Sequence, residues 1–191
     1  PRKPPYMIYF LCVSDVRAVK LYLPAKQAEL DAVLDCLEVD SWQEVRQEEC
    51  DAAMPEMWRF TDMAYDGMEQ INRFAQCLEE LDRNNELIKF KAVAGQLDIR
   101  SLDDALALAE HLSEYALEPG LHSPEELARE ELSVIVGGPD GDLLMRYLNM
   151  DAYGAALLWR DKGVFSDYGY ICRPDGQPLQ VPRQGVDMTM Q

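Results

Sequence analysis

YMIYFLCVSDVRAVKLYLPAKQAELDAVLDCL, residues 6–37, decides the fold. Residues 6–13 form a β-rich apolar run, and residues 16–23 alternate well enough to pair with it antiparallel across a tight Ser14-Asp15 connection. Pro24 sits where the first turn of a helix tolerates it, and Leu30, Val33, Leu34 and Leu37 make one apolar face at helical spacing. The pattern is a helix packed on a small sheet. Residues 42–50, WQEVRQEEC, alternate again and supply a third strand, closing a β-β-α-β unit of about sixty residues that ends near Tyr65.

From Asp66, read as an N-cap, the period becomes helical: Met68, Ile71, Phe74, Ala75, Leu78 and Leu81 form a stripe. Asn84 and Asn85 make a turn, a second helix spans residues 86–96, and Ser101 with Asp104 has capping-box spacing. Leu102, Leu106, Ala109 and Leu112 supply the next buried face, completing a central helical module. Residues 113–119 alternate weakly as a strand that Pro119 and Gly120 stop. Ser123-Pro124-Glu125-Glu126 is a helix start, with proline at the first helical position and acids at the positive end of the dipole. Gly137, Gly138 and Pro139 break the chain, Asp142 caps a further helix to about Trp159, and residues 163–173 return to strand character. The expected architecture is α+β, elongated, in three small consecutive modules: 1–65, 66–108 and 109–173. A Pro- and Gln-rich tail, 174–191, is expected to be disordered.

Charge bounds the function. The chain carries 35 acids against 18 Lys and Arg, a formal net charge of −17. Residues 1–65 hold 12 acids and 7 bases, residues 66–108 hold 9 and 5, and residues 109–175 hold 13 and 5. The acidity therefore belongs to the folded body, where self-repulsion is a cost. Such a surface repels phosphate backbones and anionic membranes, which argues against direct nucleic-acid binding. No run approaches a membrane span, and residues 7–13 are too short for a signal segment. Five cysteines, odd in number and without a CxxC pair, point to reduced, mostly buried thiols in a cytoplasmic protein with no zinc site. The first residue is Pro1 rather than Met, which points to N-terminal trimming.

Residues that carry chemistry are thin. The only histidines, His111 and His122, have acids nearby but no HExxH or other ligand spacing, so no metal or cofactor is expected. Residues 137–141, GGPDG, read as a turn rather than a phosphate loop. Asp103 and Asp104 are adjacent and diverge by about 100° on a helix, which suits acid–base catalysis poorly. The expectation is a non-enzymatic protein.

YLNMDAYG (147–154), preceded by the acidic helix EELAREEL (125–132) and followed by GVFSDYGYI (163–171), resembles the closing segment of ArdA-type antirestriction proteins. The upstream order is similar too: LYLP opening a helix, then QEVRQEEC, then MEQINRFAQCLEEL (68–81). The resemblance covers roughly residues 6–173. Asn149 stands where the family more often has Asp, Met150 replaces an aromatic, and the tail after Arg173 is extra.

The resemblance implies an elongated homodimer carried by conjugative, mobile elements. It would occupy the DNA-binding groove of type I restriction-modification enzymes by imitating bent duplex DNA. With one duplex charge per ~1.7 Å, a dimer carrying twice −17 would match about 58 Å of DNA. The mimic surface would include Glu125, Glu126, Glu130 and Glu131, the segment the family associates with antirestriction. It would extend to Glu79, Glu80, Asp82 and Glu86, then Glu110, Glu114 and Glu118, and finally Asp140, Asp142 and Asp151. The bland reading of each acid is a solvated helix face. Tyr147, Asp151, Tyr153 and Gly154 are the family motif, structural or at a dimer contact, with core packing expected for both tyrosines. The competing readings are an acidic interaction module of a mobile element that binds another basic DNA-processing protein, and a metal-dependent hydrolase built on an acid cluster.

Overall fold

In the computed structural model the described residues are 3–62 and 66–182. The fold is α+β, and contacts divide the chain into two compact units: residues 1–91 with 99–109, and residues 92–98 with 110–191. The boundary expected at Tyr65 lies outside the described residues.

The first unit opens with the β-β-α-β arrangement. Strands β1 (Ile8–Val13), β2 (Ala18–Leu23) and β3 (Arg46–Ala52) form an antiparallel sheet in the order β2-β1-β3. Alternation puts Ile8, Phe10 and Cys12, all fully buried, on the core face, while the ring of Tyr9 lies tilted against that of Tyr22 of β2, centroids 5.1 Å apart, on the other. Burial raises the Cys12 thiol to about 11, which leaves it protonated and inert near neutral pH. The third strand starts later than expected. Trp42–Glu44 form a short 3-10 turn, in which the Ser41 hydroxyl lies 3.2 Å from the Glu44 carboxylate, a local bond that competes with strand pairing. At the sheet edge, Arg46, Glu48, Glu49 and Asp51 of β3 are exposed charges that discourage edge-to-edge association.

Helix α1 (Gln27–Leu37) buries Leu30, Val33 and Leu37. Pro24 lies before it rather than in its first turn, because the N-cap is Lys26, whose backbone N–H donates to Glu29 Oε2 at 2.7 Å. Helix α2 (Met68–Arg83) buries the whole expected stripe from Met68 to Leu81. Its N-cap is Gly67, and Asp66 is instead buried, with a carboxylate oxygen accepting the Asp62 N–H at 2.8 Å. Asn72 joins the buried face of α2 and clamps the entry to α1, accepting the Ala25 N–H at 2.8 Å and donating to the Ala25 carbonyl at 2.9 Å.

Helix α3 (Leu87–Gln96) follows a turn with Asn85 at φ 59°. Helix α4 (Leu102–Glu110) is capped as expected, the Ser101 hydroxyl accepting the Asp104 N–H at 3.1 Å. Its buried residues are Leu102, Ala105, Ala107 and Leu108, with Leu106 and Ala109 only half-buried, so the expected stripe is rotated.

In the second unit, β4 (Ala116–Glu118), β5 (Val164–Ser166) and β6 (Gly169–Cys172) form an antiparallel sheet ordered β4-β6-β5. Helices α5 (Pro124–Ile135), α6 (Pro139–Tyr147) and α7 (Met150–Asp161) complete it. The single helix expected from Asp142 to Trp159 is two. Pro139 starts α6 directly after Gly138 at φ 82°, and Asn149 caps α7 by accepting the Ala152 N–H at 3.0 Å. Leu127, Leu157 and Tyr170 form the core, with Tyr153 and Phe165 packed against it. Residues 174–182, part of the segment expected to be disordered, hold defined contacts: the Tyr115 hydroxyl donates to the Gln180 carbonyl, and Asp175 pairs with Arg173 at 2.7 Å. Residues 183–191 lie outside the described residues.

Of the five cysteines only Cys12 is buried; Cys36 and Cys50 are exposed. This corrects the expectation of mostly buried thiols: Cys36 lies on the outer side of α1 and Cys50 on an edge strand.

Candidate functional site

The candidate site is a set of carboxylates, and the structure sorts them by unit and by partner. Glu79, Glu80, Asp82 and Glu86 belong to the first unit, and Glu110, Glu114, Glu118, Glu125, Glu126, Glu130, Glu131, Asp140, Asp142 and Asp151 to the second. Helix α2 points Glu80 outward because its apolar stripe faces the core, and α5 does the same for Glu130 by burying Leu127, Ala128 and Leu132.

Several of these charges are already answered within the chain. Glu79 lies 3.5 Å from Arg83, Glu86 3.4 Å from Lys89, Glu125 2.7 Å from Arg129 and Glu131 3.2 Å from Arg160. Glu114 is half-buried and shared between His111 at 2.8 Å and Arg173 at 3.0 Å, while Arg173 also lies over the Tyr115 ring. Burial, chiefly, raises the Tyr115 hydroxyl above its usual value. Glu126 reaches back to the His122 backbone N–H at 2.7 Å, and that hydrogen bond lowers its carboxyl below the usual range. It is the acidic half of a capping arrangement whose other half is the Ser123 hydroxyl, which accepts the Glu126 N–H at 3.2 Å.

Glu80, Glu110, Glu118, Glu130, Asp140, Asp142 and Asp151 are exposed and form no side-chain ion pair or hydrogen bond among the described residues. Asp82 is half-buried and equally unpaired. These are the carboxylates a basic partner would meet with no internal bond to break. Sequence reasoning passed over Asp31 and Asp35, exposed on α1 at i and i+4, with Asp31 accepting an N–H of Gln27 at 2.8 Å. That spacing, which lines one helix face, is the signal that finds them.

Charge density limits what one element can do. Helix α5 carries Glu125, Glu126, Glu130 and Glu131 against Arg129, a net of about −3 over roughly 18 Å, where duplex DNA presents about ten charges. A single helix therefore falls well short of a duplex, and any imitation has to be distributed.

The motif residues separate. Gly154 is buried where α7 crosses the start of α5: a Cβ there would lie 1.8 Å from the Pro124 carbonyl oxygen. Tyr153 packs against the core, as expected. Tyr147 does not; it is 83% exposed, because α6 buries only Gly141 and leaves its apolar side uncovered.

Among the described residues no group of three or more His, Cys, Asp or Glu could hold a metal ion. A recess of about 530 Å³ brings together Gln96, His122, Ser166 and Asp167. The Ser166 hydroxyl there is committed to the hairpin, donating to the Gly169 carbonyl at 2.9 Å and accepting the Tyr168 N–H at 3.1 Å. Among the described residues no helix is long and apolar enough to cross a membrane. No known family model and no curated protein matches the chain.

Proposed function

We propose that this chain is a cytoplasmic, non-enzymatic antirestriction protein that acts as an acidic DNA mimic in the DNA-binding groove of type I restriction-modification enzymes. The observation that carries the reading is the set of exposed carboxylates, on both units, with no ion-pair or hydrogen-bond partner among the described residues. Unpaired charge destabilises a chain already at −17 and is retained at a cost unless a cation meets it. The resemblance over residues 125–171 supplies the partner, a groove built to bind phosphate, and the homodimer and mobile-element context.

Mimicry of this kind steers encounter through the long-range field and weakens with salt. Neutralising Glu80, Glu110, Glu118, Glu130, Asp140 and Asp151 together to Gln or Asn, with the fold checked by circular dichroism, removes six charges from the proposed surface. Protection of unmodified DNA from a type I enzyme should be lost in the combined variant and fall only slightly in each single one. Unchanged protection by the combined variant would refute the proposal. The alternative, an acidic module binding another basic DNA-processing protein, is favoured by one observation, the exposed apolar side of α6.

A further inference from the structure

The recess of the second unit is lined by Gln96 at the end of α3, His122 just before α5, and Phe165, Ser166 and Asp167 of the β5–β6 hairpin. Its volume of about 530 Å³ falls in the range of small-ligand sites. The hairpin part of the lining is held in place. Ser166 pairs with Gly169, so Asp167 and Tyr168 are the two residues of the turn, and the Ser166 hydroxyl bonds to both Gly169 and Tyr168. Gly169 stands at φ 128°, where a Cβ would also strike the Glu118 carbonyl. The Phe165 ring is seated against that of Tyr170, centroids 5.4 Å apart, and Tyr170 is buried. Asp167 and Phe165 therefore line the recess from a pinned turn, which lowers the ordering cost of binding.

The polar groups of the lining say what fits. Gln96, Asp167 and the His122 ring form no hydrogen bond or ion pair among the described residues. Together with Phe165 they supply one carboxylate, one amide, one imidazole and one phenyl ring, and no Lys or Arg. A phosphate or carboxylate would find no cation there, in a chain of −17. A zinc ion would find one carboxylate and one imidazole, short of the roughly four ligands it takes. An ammonium group is compact and strongly hydrated, with no planar face to lay on a ring. A guanidinium matches every group: its planar fork donates in parallel to a carboxylate, further N–H groups reach an amide oxygen, and its face stacks on aromatic rings.

We propose that this recess is a binding site for a guanidinium group, carried by an arginine side chain of a partner protein. Asp167 accepts the bidentate pair, the Gln96 amide oxygen takes a further N–H, and the Phe165 and His122 rings provide the stacking surface. A side chain within a polypeptide suits the site better than free arginine, whose α-carboxylate would meet only negative charge. The site does not rest on the mimic reading, since none of its residues belongs to the proposed mimic surface.

A nuclear magnetic resonance titration of the full chain with N-acetyl-arginine amide tests it, read on the backbone amides of residues 165–168 and the side-chain amide of Gln96. Saturable changes centred on those signals are expected. The lysine counterpart should bind several-fold more weakly, and free L-arginine no more tightly. Asp167→Asn should weaken arginine binding about tenfold or more, the loss expected of hydrogen bonds to a charged group, and Gln96→Ala should weaken it less. Asp140→Asn, which removes the same charge outside the lining, should leave binding unchanged. All three positions are exposed, so far-ultraviolet dichroism should report an intact fold in each variant. Equal binding of the arginine and lysine probes, or equal losses from Asp167→Asn and Asp140→Asn, would overturn the proposal by reducing it to general attraction between opposite charges. Absence of saturable changes would overturn it outright, and tighter binding of free arginine would overturn its assignment to a partner protein. An Asp167→Asn protein that loses arginine binding yet still displaces duplex DNA from a type I enzyme supports the site and leaves the mimic reading intact, so the two fail separately.

Discussion

Replacing Gly154 by alanine sets two opposing effects against each other. Glycine in the middle of α7 costs roughly 1 kcal/mol relative to alanine, so propensity alone makes the substitution stabilising. Space says otherwise: the added Cβ would sit 1.8 Å from the Pro124 carbonyl oxygen, 2.4 Å from its carbon and 2.8 Å from its Cα. All three neighbours are backbone atoms, so no rotamer change relieves the contact. Helix α7 must back away from α5 by more than an ångström, loosening the packing of Leu127 and Leu157. Overpacking costs about 1–3 kcal/mol when side chains can adjust, and more where they cannot. A net loss of about 2–4 kcal/mol is expected, which at about 2–4 °C per kcal/mol for a chain of this size lowers Tm by roughly 5–15 °C. Thermal unfolding followed by dichroism measures it. Gly95→Ala is the control, since nothing lies within 4 Å of its added Cβ, and the propensity gain should appear there alone. A Gly154→Ala protein as stable as wild type would refute the claim that this glycine sets the α5–α7 approach.

Asn72→Leu removes both bonds to Ala25 and strands a buried N–H and carbonyl; denaturant unfolding should show a loss of about 2–4 kcal/mol. A loss below about 1 kcal/mol would show that Ala25 finds other partners. The Glu126 carboxyl is lowered from 4.5 in the folded state by the His122 N–H, so its contribution is present above about pH 4.5 and disappears as pH falls through the folded value. Glu126→Gln should therefore be less stable than wild type near neutral pH and converge with it in acid, as Tm against pH will read; a constant gap across that range would contradict the cap.

Much of the fold was legible because burial leaves a period. The β1–β2 hairpin and the stripe from Met68 to Leu81 repeat at 2 and 3.6 residues, and Ser123-Pro124 marks its helix start by capping chemistry alone. The errors fall where local bonds compete. Asp66 has the right residue type for an N-cap but its carboxylate accepts the Asp62 N–H instead, and the single helix through residues 142–159 is divided by Asn149 capping the chain a second time. At the candidate site the sequence located the acids but not which are free. Glu125 and Glu131 differ from Glu130 through Arg129 and Arg160, and Glu114 through His111 and Arg173; Arg160 and Arg173 come from distant positions. Tyr147 was misplaced because an apolar residue at helical spacing signals burial, while α6 exposes its apolar side.

Competition decides the central claim most directly. A type I restriction-modification enzyme bound to labelled duplex is titrated with this protein at two salt concentrations. The account predicts displacement of the duplex near stoichiometry, weakening steeply as salt rises. Failure to displace duplex at low salt from any of several type I enzymes would contradict it.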